Sequence, residues 1–122
     1  MENILKNKSF SFAIEIVKLY KHLIGEKGEF VMSKQLLRSG TSIGAMVRES
    51  QNAESKNDFI HKLAIAQKEC DETLYWLELV HVSGYLTNEK FDDCFQRASE
   101  ILRILKSVIL TTKQNLLKNE FQ

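Results

Sequence analysis

Proline is absent from this 122-residue chain and glycine occurs only five times, so little in it interrupts a helix. Cysteine is scarce too. Cys70 and Cys94 are too few for a disulfide scaffold or a four-thiolate metal site, and a chain of this length buries a core without either. An excess of one charge is also missing. Seventeen Lys and Arg stand against sixteen Asp and Glu, a net charge of +1, which excludes a polycation that coats nucleic acid through bulk charge. Any basic surface must be local. No apolar run approaches the roughly 20 residues of a membrane span. The start, Met1-Glu-Asn-Ile-Leu-Lys6, lacks the apolar stretch of a secretory leader. A cytoplasmic protein with no membrane partner is expected, its cysteines reduced.

What is present is helical periodicity, divided by glycine and capping residues into four stretches of one domain spanning residues 1–122. The first helix is predicted over about 9–24, with Ala13, Ile16, Val17, Tyr20, Leu23 and Ile24 on one face, ended by Gly25-Glu-Lys-Gly28. The second, about 29–50, carries Met32, Leu36, Ser39, Ile43 and Val47 on its stripe. Gly40 and Gly44 lie inside it, and each glycine costs about 1 kcal/mol relative to alanine, so their spacing predicts close approach of another helix. The third, about 56–83, opens on Ser55-Lys-Asn-Asp58, an aspartate version of the capping box. Its seam is Phe59, Leu63, Ala66, Cys70, Leu74 or Thr73, Leu77 and Val80, and Gly84 is its stop. The fourth, about 88–118, starts at Thr87 or Asn88 and runs its seam through Phe91, Phe95, Ala98, Leu102, Leu105, Ile109, Thr112 and Leu116. Helices of about 42 and 47 Å joined by a short connection must form a hairpin. The expected fold is therefore all-α, an antiparallel up-down-up-down four-helix bundle.

The long helices hold more apolar residues than one seam uses: Ile65, Trp76, Ile101, Ile104, Val108 and Leu110. Part of this surplus broadens the bundle's own core stripe, and the rest predicts a homo-oligomer. Trp76, Ile101, Ile104 and Val108 are the interface candidates, with a tryptophan in the subunit's own core as the competing reading of Trp76.

Catalytic chemistry finds little footing. Di-iron bundles place a Glu-x-x-His motif on each of two helices and a glutamate on each of the other two. Glu78-Leu-Val-His81 matches and Asp58-Phe-Ile-His61 is similar, but both lie on the third helix, 20 positions or about 30 Å apart, and cannot share a metal pair. No metal, cofactor or small-molecule substrate is expected, and no enzyme. Neither cysteine has a histidine three or four positions away, so both read as small core residues. The segment Ser39-Gly-Thr-Ser-Ile-Gly44 lacks the ending and preceding strand of a phosphate loop and reads as a helix contact. His22, His61 and His81 read as solvated helix positions.

Charge is uneven along the chain. From Glu54 to Leu86 three basic residues face six acids, whereas from Arg97 onward Arg97, Arg103, Lys106, Lys113 and Lys118 face only Glu100 and Glu120. The second helix adds Lys34, Arg38 and Arg48. Two readings stand side by side: a solvated face with a dipole-complementing C-terminus, or a surface for RNA or DNA at Lys34, Arg38, Arg48, Arg97, Arg103, Lys106 and Lys113, multiplied by copy number in an oligomer.

The stretch Gln35-Leu-Leu-Arg-Ser-Gly-Thr-Ser-Ile-Gly-Ala-Met-Val-Arg-Glu49, with Ala53-Glu-Ser-Lys-Asn-Asp-Phe-Ile-His-Lys-Leu-Ala-Ile-Ala66 and Lys68-Glu-Cys-Asp-Glu-Thr-Leu-Tyr-Trp-Leu-Glu-Leu79, resembles the four-helix bundle protein family, also called the 23S rRNA intervening-sequence protein family. The resemblance spans essentially the whole chain. It implies a small bacterial bundle without catalytic activity, related to the accessory protein of diversity-generating retroelements. It also implies pentameric barrels whose basic surfaces are thought to bind nucleic acid. The chain departs from the family pattern at Met46, usually asparagine, and at Arg48, usually a small residue, and its net charge is nearer neutral. Among the matching polar residues, Arg38, Ser39, Ser42, Glu49 and Glu72 are expected to form a buried network that fixes helix register, the competing view being that Arg38 and Arg48 face phosphates. The expected function is a non-enzymatic homo-oligomer, pentameric by resemblance, that binds or scaffolds RNA or a ribonucleoprotein partner. The alternative is a protein-interaction oligomer with no nucleic-acid role.

Overall fold

Capping chemistry sets where each helix begins. In the computed structural model, which describes residues 3–120, α1 spans Ile4–Gly25, α2 Met32–Ser50, α3 Lys56–Val82 and α4 Asn88–Glu120. Met1 and Glu2, the first residues of the stretch read for a leader, lie outside the described residues, as do Phe121 and Gln122. The first helix starts earlier than periodicity predicted because the Asn3 side chain accepts the Lys6 amide at 2.9 Å. The Ser55 box forms with a twist. Ser55 Oγ accepts the Asp58 amide at 3.0 Å, while the Asp58 carboxylate reaches back to the Glu54 amide rather than that of Ser55. Thr87 caps α4 by accepting the Lys90 amide. At the end of α3, Gly84 takes φ +90° and the Tyr85 amide returns to the Val80 carbonyl, closing off the last turn as the sequence predicted.

The second helix begins three residues later than expected. Glu29 is not its first turn but its cap: the carboxylate accepts the amides of Val31, Met32 and Ser33 at 2.7–3.0 Å, and the Ser33 hydroxyl donates to the Glu29 carbonyl. Glutamate is outside the usual capping set, so pattern reasoning passed over it.

Each helix packs on the next and α4 closes back on α1, giving the up-down-up-down antiparallel bundle. The seams of α2 and α3 are as predicted except at their first positions, where Met32 and Phe59 are half-buried, and with Thr73 rather than Leu74 in the buried position. Those of α1 and α4 are rotated. In α1 the core set is Leu5, Ser9, Phe12, Ile16, Leu19 and Leu23, so Ala13, Val17, Tyr20 and Ile24 sit half-buried on its flank. In α4 Cys94 and Ile101 are buried, while Phe91 and Leu102 pack on the flank and Phe95 is half-buried beside Phe91. The aromatics find partners there. Phe91 stacks on His81 at 4.2 Å and lies 5.1 Å from Phe95.

The glycine pair in α2 does what its spacing predicted. A β-carbon on Gly44 would lie 3.3 Å from the Ser9 carbonyl oxygen, and one on Gly40 would press on Ile16, so α1 and α2 approach closely along this line. The Ser39–Gly44 segment is thereby a helix contact, not a loop.

Candidate nucleic-acid interface

Arg38 stands on the outward side of α2, where it faces α3. Its guanidinium donates to Glu69 at 3.1 and 3.3 Å and to Glu72 at 3.1 Å, and Gln35 accepts from its Nε at 3.4 Å. Burial weighs against its charge, but the two carboxylates outweigh that and hold the guanidinium above its ordinary pKa. The glutamates divide unequally. Burial first, then the hydrogen bond and charge of Glu72, push Glu69 up, whereas the hydrogen bond with Glu69 and the nearby Arg38 charge hold Glu72 down.

This arrangement corrects the expected buried network. Arg38 pairs with Glu72, but its side chain is 48% exposed, and the second partner, Glu69, was missed. The signal for Glu69 was its place one turn before Glu72, flanking the seam at Cys70. Ser39 belongs to a different and fully buried contact, its hydroxyl 3.1 Å from that of Thr73. Ser42 only returns to the Arg38 carbonyl in its own helix, and Glu49 pairs with Lys62 at 3.4 Å. The five residues therefore make four separate contacts: Ser39 is turned about 100° round α2 from Arg38, and Glu49, on the same face as Arg38, lies 11 residues or about 16 Å further along the axis.

The predicted cations separate in the same way. Arg97 is engaged by both carboxylate oxygens of Asp93 at 3.2 Å. Arg48 lies over the Phe10 ring at 5.4 Å, beside a cavity of about 450 Å³ that Lys6 also lines. Lys34, Arg103, Lys106 and Lys113 are exposed and join no ion pair among the described residues. The last three share a face of α4 with Leu110 and Leu117, since positions 103, 106, 110, 113 and 117 alternate steps of three and four. No acid occurs between Glu100 and Glu120, and Glu100 is taken up by Lys8 at 3.0 Å.

The interface candidates also need correcting. Ile101 is 1% exposed and lies in the chain's own core, so it cannot reach a second copy. Trp76, Ile104 and Val108 are half-buried and pack against that core, Trp76 edge-on to Tyr75 at 5.0 Å. The apolar residues left to solvent on α3 and α4 are Tyr75, Val82, Leu110 and Leu117, and α1 adds Ile4, Phe10 and Ile14.

His81 is not a merely solvated position: its Nε2 lies 2.7 Å from the Asn88 side-chain oxygen, bracing the α3–α4 turn. Among the described residues no three His, Cys, Asp or Glu side chains converge as a metal site, and no helix is long and apolar enough to cross a membrane. Both cysteines are buried, Cys70 with its sulfur 3.2 Å from the Ala98 carbonyl.

Residues 1–107 match a family model described as 23S rRNA-intervening sequence protein, a match that ends within α4. Among solved structures the chain is similar to the crystal structure of a protein of unknown function from the S23 ribosomal protein family of Bacteroides thetaiotaomicron. The two are 53% identical with a TM-score of 0.86, over 87% of this chain and 98% of that one. No curated protein matches the chain.

Proposed function

The chain belongs to the 23S rRNA-intervening sequence protein family, and from that premise we propose that it is a non-catalytic, homo-oligomeric bundle that binds RNA, or a ribonucleoprotein partner, through the outward face of α4. One observation carries the reading: Arg103, Lys106 and Lys113 are exposed on a single face and join no ion pair among the described residues, whereas Arg38 and Arg97 are already paired with carboxylates of the same chain. A phosphate backbone is bound by cations that exchange counterions for phosphates, which favours those without a carboxylate partner. With a net charge of +1 a single copy offers a weak field, and a ring of copies, five by the resemblance, multiplies the α4 stripe into a band.

Leu110 and Leu117, 57% and 55% exposed on the same stripe, favour a second reading in which the face contacts protein alone. Filter binding of a structured RNA at two salt concentrations separates the two. The first reading expects affinity that falls with salt, and a Lys106→Glu/Lys113→Glu variant whose log–log salt slope is shallower by about 1.5 to 2. No binding at low salt favours the second. Light scattering at micromolar concentration tests the assembly, and a monomer there removes it.

A further inference from the structure

At the end of the bundle where the last turns of α1 and the α1–α2 connection meet the start of α4 lies an open cavity of about 370 Å³. Its apolar lining comes from Leu19, which is buried, and from Tyr85 and Leu86, which are half-buried. Three lysines from three separate segments also line it: Lys18 of α1, Lys27 of the connection and Lys90 of α4. Lys18 and Lys90 share one carboxylate, Glu15, each at 3.6 Å, and Lys27 joins no ion pair among the described residues. Three ammonium groups against one carboxylate leave an excess of two positive charges around an apolar floor. Glu26 and Glu89, the nearest acids in sequence, are exposed and do not line the cavity.

Like charges gathered from distant parts of the chain repel one another, and long exposed lysines gain little from such loose pairs. A ligand that matches the arrangement carries about two negative charges and an apolar or flat body. A phosphomonoester has a charge of about −1.5 to −2 at neutral pH. Inorganic phosphate would leave the apolar floor unused, and an uncharged nucleoside would leave the ammonium groups unmatched. The volume lies in the range of small-molecule sites. We propose that this cavity binds a 5′-phosphorylated nucleotide, either free or at the end of an RNA strand. The site is independent of the α4 face: Arg103 lies 13 residues, about 20 Å, further along the helix than Lys90.

NMR titration of the full chain with AMP, adenosine and inorganic phosphate tests the site. AMP is expected to shift amides near Lys18, Lys27, Tyr85 and Lys90 and to bind about tenfold tighter than either fragment, with a Lys27→Glu variant weakened about tenfold. Lys27 is exposed in a turn, so that variant keeps the fold. Equal affinity for AMP and adenosine, shifts outside the cavity, or a Lys27→Glu variant that binds AMP as the parent does would overturn the proposal. A short RNA with and without a 5′-phosphate identifies the source: preference for the phosphorylated end supports the site with RNA as ligand, and AMP binding without that preference supports it with a free nucleotide. The Lys106→Glu/Lys113→Glu variant is expected to bind AMP unchanged, so failure on α4 and failure here are read separately.

Discussion

A β-carbon built on Gly40 would stand 2.9 Å from both γ-carbons of Ile16. Ile16 is fully buried and branched at Cβ, so those carbons cannot swing aside without moving α1 itself. Overpacking of this kind costs about 1–3 kcal/mol, against a gain of about 1 kcal/mol from replacing a helical glycine. Gly40→Ala is therefore expected to lower the urea midpoint by an amount corresponding to about 1 kcal/mol. Gly44→Ala meets the Ser9 carbonyl, its oxygen at 3.3 Å and its carbon at 3.4 Å, looser than the 2.9 Å at Gly40, and is expected to stay within about 0.5 kcal/mol of the parent. Equal loss in the two variants would mean that the Ile16 contact is not what sets the α1–α2 distance.

The same contact explains which parts of the fold were legible in the sequence. Helix number, hairpin order and the α2 and α3 seams follow from periodicity because polar residues flank those stripes closely enough to fix the phase. In α1 apolar residues run broadly from Phe10 to Ile24, so two seams fit the spacing, and only packing against the glycine stripe selects the one through Phe12, Ile16 and Leu19. In α4 the bulky Phe91 and Phe95 attract the assignment, yet the small Cys94 is the buried residue, and Phe91 stacks on His81 with Phe95 beside it. The local excess of cations on α4 was readable, but which of them are free was not, since Arg38 meets Glu69 only once α2 and α3 pack. The three-lysine cavity was equally hidden, its residues being brought together by the closure of α4 on α1.

Glu29 is expected to act as an acid-sensitive clamp on α2. Burial pushes its carboxyl up, but hydrogen bonds from the Val31, Ser33 and Met32 amides and the Ser33 hydroxyl outweigh that and hold it below the ordinary carboxylate value. A group with a depressed folded pKa contributes stability that is present above its unfolded value, about 4.3, and is lost as pH falls through the folded one. Glu29→Gln is expected to cost about 1–2 kcal/mol at pH 7, the size of a lost cap. Denaturation at pH 7 and below pH 4 checks the sign: the gap between parent and variant should narrow in acid, and a constant gap would locate the effect in packing rather than charge.

The cysteines are expected to be inert in the folded chain. Burial first, then the Asp71 charge, push the Cys70 thiol up to about 12, and burial likewise raises Cys94. The thiolate is the reactive form, so at pH 8 neither should react with a disulfide reagent on the timescale of mixing, and both should react once urea unfolds the chain. Fast reaction of either thiol in native conditions would show that α3 and α4 open locally at the Cys70 and Ala98 contact.

Arg38 separates a structural role from a nucleic-acid role most sharply. Arg38→Met leaves Glu69, only 12% exposed, beside Glu72 with no cation between them. The expected loss is about 1 kcal/mol at pH 7, since the arginine itself is half in solvent. Glu69 is already held above its ordinary value by burial and Glu72, and losing Arg38 raises it further. A carboxyl with a raised folded pKa destabilises the charged state as pH rises through that value, so the variant's deficit should shrink as pH falls towards 4. Adding Glu69→Gln should recover most of it at pH 7. RNA affinity should remain at the parent's level in Arg38→Met while it falls in Lys106→Glu/Lys113→Glu, because a guanidinium that already holds two carboxylates releases few counterions to a phosphate. Loss of salt-dependent affinity in Arg38→Met at full structural integrity would move the binding face from α4 to α2.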